Sequence, residues 1–213
     1  MNRFKIAGLY LIFFIFIAIL ISGCATAPPV RSFVMGVDSI SARNASTGKT
    51  YIITSAMPSI RDNDLAFQEV ARYVENALSL KGYLRTKNMD TADLLIYLSY
   101  KIGEPVKSYH THTQPGMAMP VYGIWMATPS RSQTIEITTY LVTMILEAYN
   151  LKDQNNKSQL WMTTTTLGVF NPDLRDILPF MVAASSDYLG ENTSKKISVT
   201  IQEDDPKYLK IMK

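Results

Sequence analysis

Two β-branched runs set the terms on which this chain can fold. Residues 134–149 are dense in Ile, Thr, Val and Tyr, and residues 158–170 repeat the pattern across the polar connector Lys152-Asp153-Gln154-Asn155-Asn156-Lys157. Branching at Cβ restricts χ1 against a helical turn and suits a pleated surface, so the first run reads as one long strand or a strand with a bulge. The second reads as its antiparallel partner. A lone pair of strands is marginal in water, so other elements have to cover its apolar face.

Those elements are legible on both sides. Residues 32–42 and 50–56 are shorter runs of the same kind, separated by Asn44-Ala45-Ser46-Thr47-Gly48-Lys49, and they predict two strands joined as a hairpin, with Pro58 closing the second. From Asp64 the period changes. Phe67, Val70, Ala71, Val74, Ala77 and Leu78 form one stripe, and Gln68, Glu69, Arg72 and Glu75 the opposite face, as an amphipathic helix requires. Asp62, Asn63 and Asp64 offer N-caps, and Gly82 sits where a C-cap glycine belongs. Residues 92–102 contain the unbroken apolar run Leu94-Leu95-Ile96-Tyr97-Leu98, the pattern of a central strand covered on both faces. Residues 103–131 hold four prolines and several glycines and read as a long irregular loop, a feature usually kept for function.

Asn171-Pro172 predicts an N-cap with proline at the first helical position, followed by Leu174, Ile177, Met181, Ala184 and Tyr188 at helical spacing up to Gly190. Pro179 predicts a break, a kink or a fresh start in that helix. Ile197, Val199 and Ile201 then alternate with polar residues as a last strand. The order ββαβββαβ predicts a single α+β domain over residues 32–213, a mixed β-sheet with two helices packed on it.

Ahead of that domain the chain reads as an export signal. Arg3 and Lys5 precede an apolar run, residues 6–21, which is shorter than the roughly 20 residues that cross a bilayer with ease. It stops at Ile21-Ser22-Gly23-Cys24, which resembles the lipobox of bacterial prolipoproteins. Cys24 is the only cysteine. Lipidation of its thiol accounts for a lone cysteine in an exported chain without leaving an odd thiol in an oxidising compartment. The reading is a signal peptide over residues 1–23, a lipidated Cys24 with a Pro28-Pro29 tether over residues 24–31, and anchorage to a membrane by acyl chains, each buried methylene contributing about 0.8 kcal/mol. Ala25 stands where the inner-membrane retention signal of enteric bacteria has Asp. The expected address is the outer membrane, facing the periplasm.

The formal charge of +3 includes Arg3 and Lys5, so the exported part is close to neutral, and nucleic acid is not an expected partner. Gly48-Lys49-Thr50 matches the end of a phosphate-binding loop, but Arg43 stands where its first glycine belongs and a strand follows instead of a helix. Two histidines and no free cysteine leave few proton shuttles or nucleophiles. No enzyme and no cofactor are expected. Two constellations remain, both in residues 103–131. Tyr109, Met117, Met119, Tyr122 and Trp125 are the residue types that anchor interfaces. His110 and His112, with Met117 and Met119, offer imidazole and thioether donors of the kind copper prefers.

The helix end Leu80-Lys81-Gly82-Tyr83, the strand start Ala92-Asp93-Leu94-Leu95-Ile96, the turn Leu151-Lys152-Asp153 and the strand start Gln159-Leu160-Trp161 together resemble a family of bacterial envelope lipoproteins known only as a domain of unknown function. The layout is also similar to the N-terminal domain of TolB and to lipoproteins that assist ABC-type envelope transporters. These resemblances imply a lipid-anchored accessory protein that binds another envelope component, with a small-molecule or copper-binding lipoprotein as the alternative. No catalytic residue carries over. One consequence concerns the anchor: Cys24→Ser should leave an unprocessed, unlipidated precursor, since a hydroxyl is a far poorer nucleophile than a thiolate. Metabolic labelling with a radioactive fatty acid checks this, and a labelled serine variant would contradict it.

Overall fold

A computed structural model describes residues 30–43, 45, 48–153 and 158–213. Along the chain run β1 (Ser32–Ser41), β2 (Thr50–Ser55), α1 (Leu65–Leu80), β3 (Leu84–Arg85), β4 (Leu94–Ile102), β5 (Val106–Gln114), β6 (Ala118–Val121), β7 (Ile124–Ala127), β8 (Arg131–Asn150), β9 (Gln159–Val169), α2 (Leu174–Ser185), β10 (Ile197–Gln202) and α3 (Pro206–Met212). The two β-branched runs pair antiparallel as β8 and β9, with a register irregularity at Ala148/Tyr149. The sheet order is β10-β1-β9-β8-β4-β2-β3, parallel only where β2 meets β4 and β3.

The helices cover one face of this sheet. Alternate residues point at them: Leu94, Ile96 and Leu98 from β4, Val142, Met144, Leu146 and Ala148 from β8, Trp161 and Leu167 from β9, all buried with the predicted stripe of α1. Each Val, Leu, Ile or Met among them contributes about 1.5–3 kcal/mol by leaving water. The other face, with Thr143, Ile145 and Glu147 of β8 and Met162, Thr164 and Thr166 of β9, is only partly covered, the usual state of an antiparallel sheet with one wet side. Leu95 is the exception that makes β4 read as doubly covered.

Several expectations are corrected. Strands β1 and β2 are not a hairpin: β9, β8 and β4 lie between them. A helix between strands signals a parallel crossover, and α1 makes that crossover from β2 to β4. The second helix starts at Leu174, not at Pro172, because the Asp173 carboxylate accepts from the Arg175 amide at 3.0 Å and is the true N-cap. Pro179 neither breaks nor restarts it. Burial of Ile177, Leu178, Phe180 and Met181 outweighs the roughly 3 kcal/mol a mid-helix proline costs. There are three helices rather than two among the described residues. The third, α3, begins at Asp205-Pro206, with Asp205 capping the Lys207 amide at 2.8 Å, and stacks Tyr208 on Phe180 at 4.1 Å.

The phosphate-loop fragment has an occupant of its own. The amides of Lys49 (3.0 Å) and Thr50 (3.1 Å) and the Thr50 hydroxyl (2.8 Å) all donate to Oδ2 of Asp93, while Lys152 pairs with its Oδ1. These partners hold the Asp93 carboxyl well below the ordinary carboxylate range, Lys152 foremost and then Thr50. Gly48 is required here: its φ is +89°, and a Cβ would fall 2.5 Å from that of Asp93. The pin joins the start of β2, the start of β4 and the turn after β8. Its lowered pKa gives stability that is present above the unfolded value, about 3.9, and lost as pH falls through the folded one. Asp93→Asn should cost about 1–2 kcal/mol at neutral pH, after allowing for solvent screening of the lysine. The gap from wild type in urea melts should shrink below about pH 4, and a gap unchanged by acid would contradict the assignment.

Candidate functional site

The expected irregular loop, residues 103–131, is instead a paired β-arm. Strand β5 runs antiparallel to the first half of β8 over nine pairs, from Val106↔Thr139 to Gln114↔Arg131. A short irregular step follows, and then β6 and β7 pair from Ala118↔Ala127 to Val121↔Ile124. Prolines and glycines predict a loop by sequence, but Pro115 and Pro129 flank the step, and Gly123 helps turn the tip. At the step the Thr128 amide donates to the Met117 carbonyl at 2.9 Å, and its hydroxyl accepts from the Met117 amide at 2.8 Å. A Cβ on Gly116 would lie 1.8 Å from the Thr128 carbonyl oxygen, so only glycine fits.

Tyr122 and Gly123 form the end turn, with φ of +50° and +81°. A two-residue hairpin with both central residues left-handed is a type I′ turn, which favours Asn-Gly. Tyrosine in that region is strained by about 1 kcal/mol, and the residue is 99% exposed, so nothing within the domain repays the strain.

The anticipated interface residues all lie on this arm. Tyr109 is on β5 opposite Glu136; Met117 is at the step; Met119 is on β6, Tyr122 at the turn and Trp125 on β7, and each is exposed. Residues 108–130 contain no Asp, Glu, Lys or Arg. The tip has no polar face. Met119, Met126, Val121 and Ile124 share one side; Ala118, Ala127, Pro120 and Trp125 share the other.

His110 and His112 also share a side of β5, opposite Ile135 and Gln133. Met117 and Met119 do not join them: the step intervenes, and Met119 is seven residues, about 20 Å, further out. Among the described residues no three His, Cys, Asp or Glu side chains come together as a metal site. Cys24 and the motif Ile21, Ser22, Gly23 lie outside the described residues. No helix among the described residues is long and apolar enough to cross a membrane.

Elsewhere the domain offers a cleft of about 410 Å³ beside α1, crossed by the Glu75–Arg85 ion pair at 2.6 Å. Burial raises the Glu75 pKa and Arg85 lowers it in part, the behaviour of a closed structural pair. Nothing there converges on a reacting atom.

An α+β domain with helices on one sheet face, and a two-stranded arm running on from its central strands, is thus the class defined by the fold. The chain belongs to the family described as "Domain of unknown function (DUF4136)", whose profile matches residues 37–183, the arm included. It is similar to a crystal structure of a DUF4136 family protein from Bacteroides thetaiotaomicron VPI-5482, at 17% identity and a TM-score of 0.39, covering 72% of this chain and 96% of that one. It is also similar to a PDZ domain protein from Parabacteroides distasonis ATCC 8503, at 14% identity and a TM-score of 0.45, covering 81% of this chain and 39% of that one. No curated protein matches.

The strain at the tip is testable. Tyr122→Asn should leave the melting temperature unchanged or slightly raised, since Asn adopts the left-handed region at lower cost. Gly116→Ala should instead loosen the arm, seen as faster amide exchange in β6 and β7 with an intact core. Loss of core stability on Tyr122→Asn would show that the ring is held by the domain after all.

Proposed function

We propose that this protein is a lipid-anchored, non-enzymatic accessory protein of the bacterial envelope, and that the β-arm is the element with which it contacts another envelope component. The observation that carries the reading is the arm's tip: an uncharged, exposed hairpin with apolar side chains on both faces and a strained aromatic at its end. A domain with this much core has no need of such a tip for its own stability. Exposed apolar patches of this kind mark contact sites. The lipobox-like Ile21-Ser22-Gly23-Cys24 supports anchorage, and the lack of a converging acid, base and nucleophile among the described residues supports a binding role over a catalytic one. Copper binding is the second reading, supported by His110 and His112 on one side of β5.

Register supplies a clean deletion. Gln114 and Arg131 are paired, so joining them through Asn-Gly removes the step and tip while closing the ribbon with a favoured turn. The shortened protein should melt within a few degrees of wild type and lose its cross-links to envelope components in intact cells. Retention of those cross-links would overturn the contact role. For the second reading, copper should raise the melting temperature of wild type but not of the His110→Ala, His112→Ala double variant. Equal responses would remove it.

A further inference from the structure

The tip differs from the rest of the surface in having no wet side. Pairing puts Met119 beside Met126 and Val121 beside Ile124 on one face, and Pro120 beside Trp125 on the other. A groove or a neighbouring sheet would cover one face and leave the second in water. Protein interfaces also carry about one hydrogen bond per 100–200 Å² and a polar rim, yet the polar side-chain groups of residues 117–127 are only the Tyr122 hydroxyl and the Trp125 indole N–H. Those two residues are the ones that settle where an apolar medium meets water.

Direction and reach agree. Strand β1 runs parallel to β8, since both are antiparallel to β9, and Gly36 is level with Thr166 and so with Thr143. Ser32 therefore enters the sheet level with about Thr139, at the base of the arm. Six residues lie between Cys24 and Arg31, so the seven Cα–Cα steps give a tether of at most about 25 Å. The arm, from Thr139 to Tyr122, is about 50 Å long. On the reading that Cys24 carries lipid, on which this step rests, a tether half the length of the arm lets the tip meet the anchoring surface with the arm tilted toward it.

We infer that the tip of the arm inserts into a lipid bilayer at the interfacial level. Its four paired residues span about 13 Å, one leaflet at most, against the 9–11 residues of a strand that spans. Backbone groups on the two outer edges limit the depth, because hydrocarbon leaves them unpaired. The sequence lessens that cost. In a two-residue hairpin the Val121–Ile124 pair is hydrogen-bonded, so Pro120, one step back, faces outward and presents no N–H. The same proline discourages a second copy from pairing with β6.

The test uses unlipidated protein, residues 25–213, with phosphatidylcholine and phosphatidylglycerol vesicles. Trp125 is 72% exposed and Trp161 only 1%, and there are no other tryptophans, so a change in emission on adding vesicles reports Trp125. The expected result is a shift to shorter wavelength with both lipids, unchanged by about 0.5 M salt because the tip is uncharged. Lipids brominated near the headgroup should quench more than lipids brominated at the chain end. Met119→Asp with Ile124→Asp, at an unchanged melting temperature, should lower partitioning about tenfold or more. Absence of any shift, binding abolished by salt, or a lipid-independent dimer that buries Trp125 would each overturn the inference. The anchor is judged separately by the Cys24→Ser labelling, because the vesicle assay contains no lipidated cysteine. If vesicles fail while the arm deletion still loses its envelope cross-links, the contact role survives and its lipid target does not.

Discussion

One continuous strand, β8, belongs to two environments, and the rest of the architecture follows from it. Its second half, from Val142 to Tyr149, is hydrogen-bonded on both edges and buried on one face; its start, Arg131–Glu136, has only β5 beside it and is exposed. Strand β5 lies on the same edge of β8 as β4, and the Gly103 amide bridges the hand-over by donating to the Leu141 carbonyl at 2.8 Å. The arm is therefore the two central strands of the sheet carried on beyond the core. An appended loop would take its direction from flexible hinges, whereas this ribbon takes it from the packed sheet. A two-stranded ribbon alone in water is marginal, so anchoring by the sheet at one end is what keeps the far end ordered.

The two ends of the sheet are built for different tasks. At one end Asp93 gathers Lys49, Thr50 and Lys152 and closes three chain segments together. At the other, about 30 Å along β4, the arm departs. Two of the four segments that carry the family resemblance, Ala92-Asp93-Leu94-Leu95-Ile96 and Leu151-Lys152-Asp153, meet each other at the pinned end. Their physical content is a charge-assisted clasp that holds three chain segments together.

How much was legible depended on whether an element had a dry side. The stripe from Phe67 to Leu78 and the long run in β8 each put apolar residues against one buried face, and periodicity found both. The arm has no such contrast. In β5, Val106, Ser108, His110 and His112 share one side and Lys107, Tyr109, Thr111 and Thr113 the other, both wet, so alternation carries no signal and the prolines dominate the pattern. A readable sign remained in the parity of His110 and His112, though the step at Gly116 kept Met117 and Met119 from joining them. Helix α3 was missed despite a sufficient signal, Asp205-Pro206, because the helix is a single short turn pair with few periodic positions.

Where local and global preferences disagree, the disagreement is informative. Every level agrees through the core: propensity, burial and pairing point the same way in α1, β4, β8 and β9. At the tip they conflict. Tyr122 occupies a turn position that favours Asn, and large apolar side chains on both faces are left to water by the fold that carries them. Neither feature improves the stability of the isolated domain, and the strain at Tyr122 lowers it slightly. A charged or Asn-Gly tip would close the same ribbon at lower cost, so the aromatic, uncharged tip is the feature on which the proposed insertion into a bilayer rests.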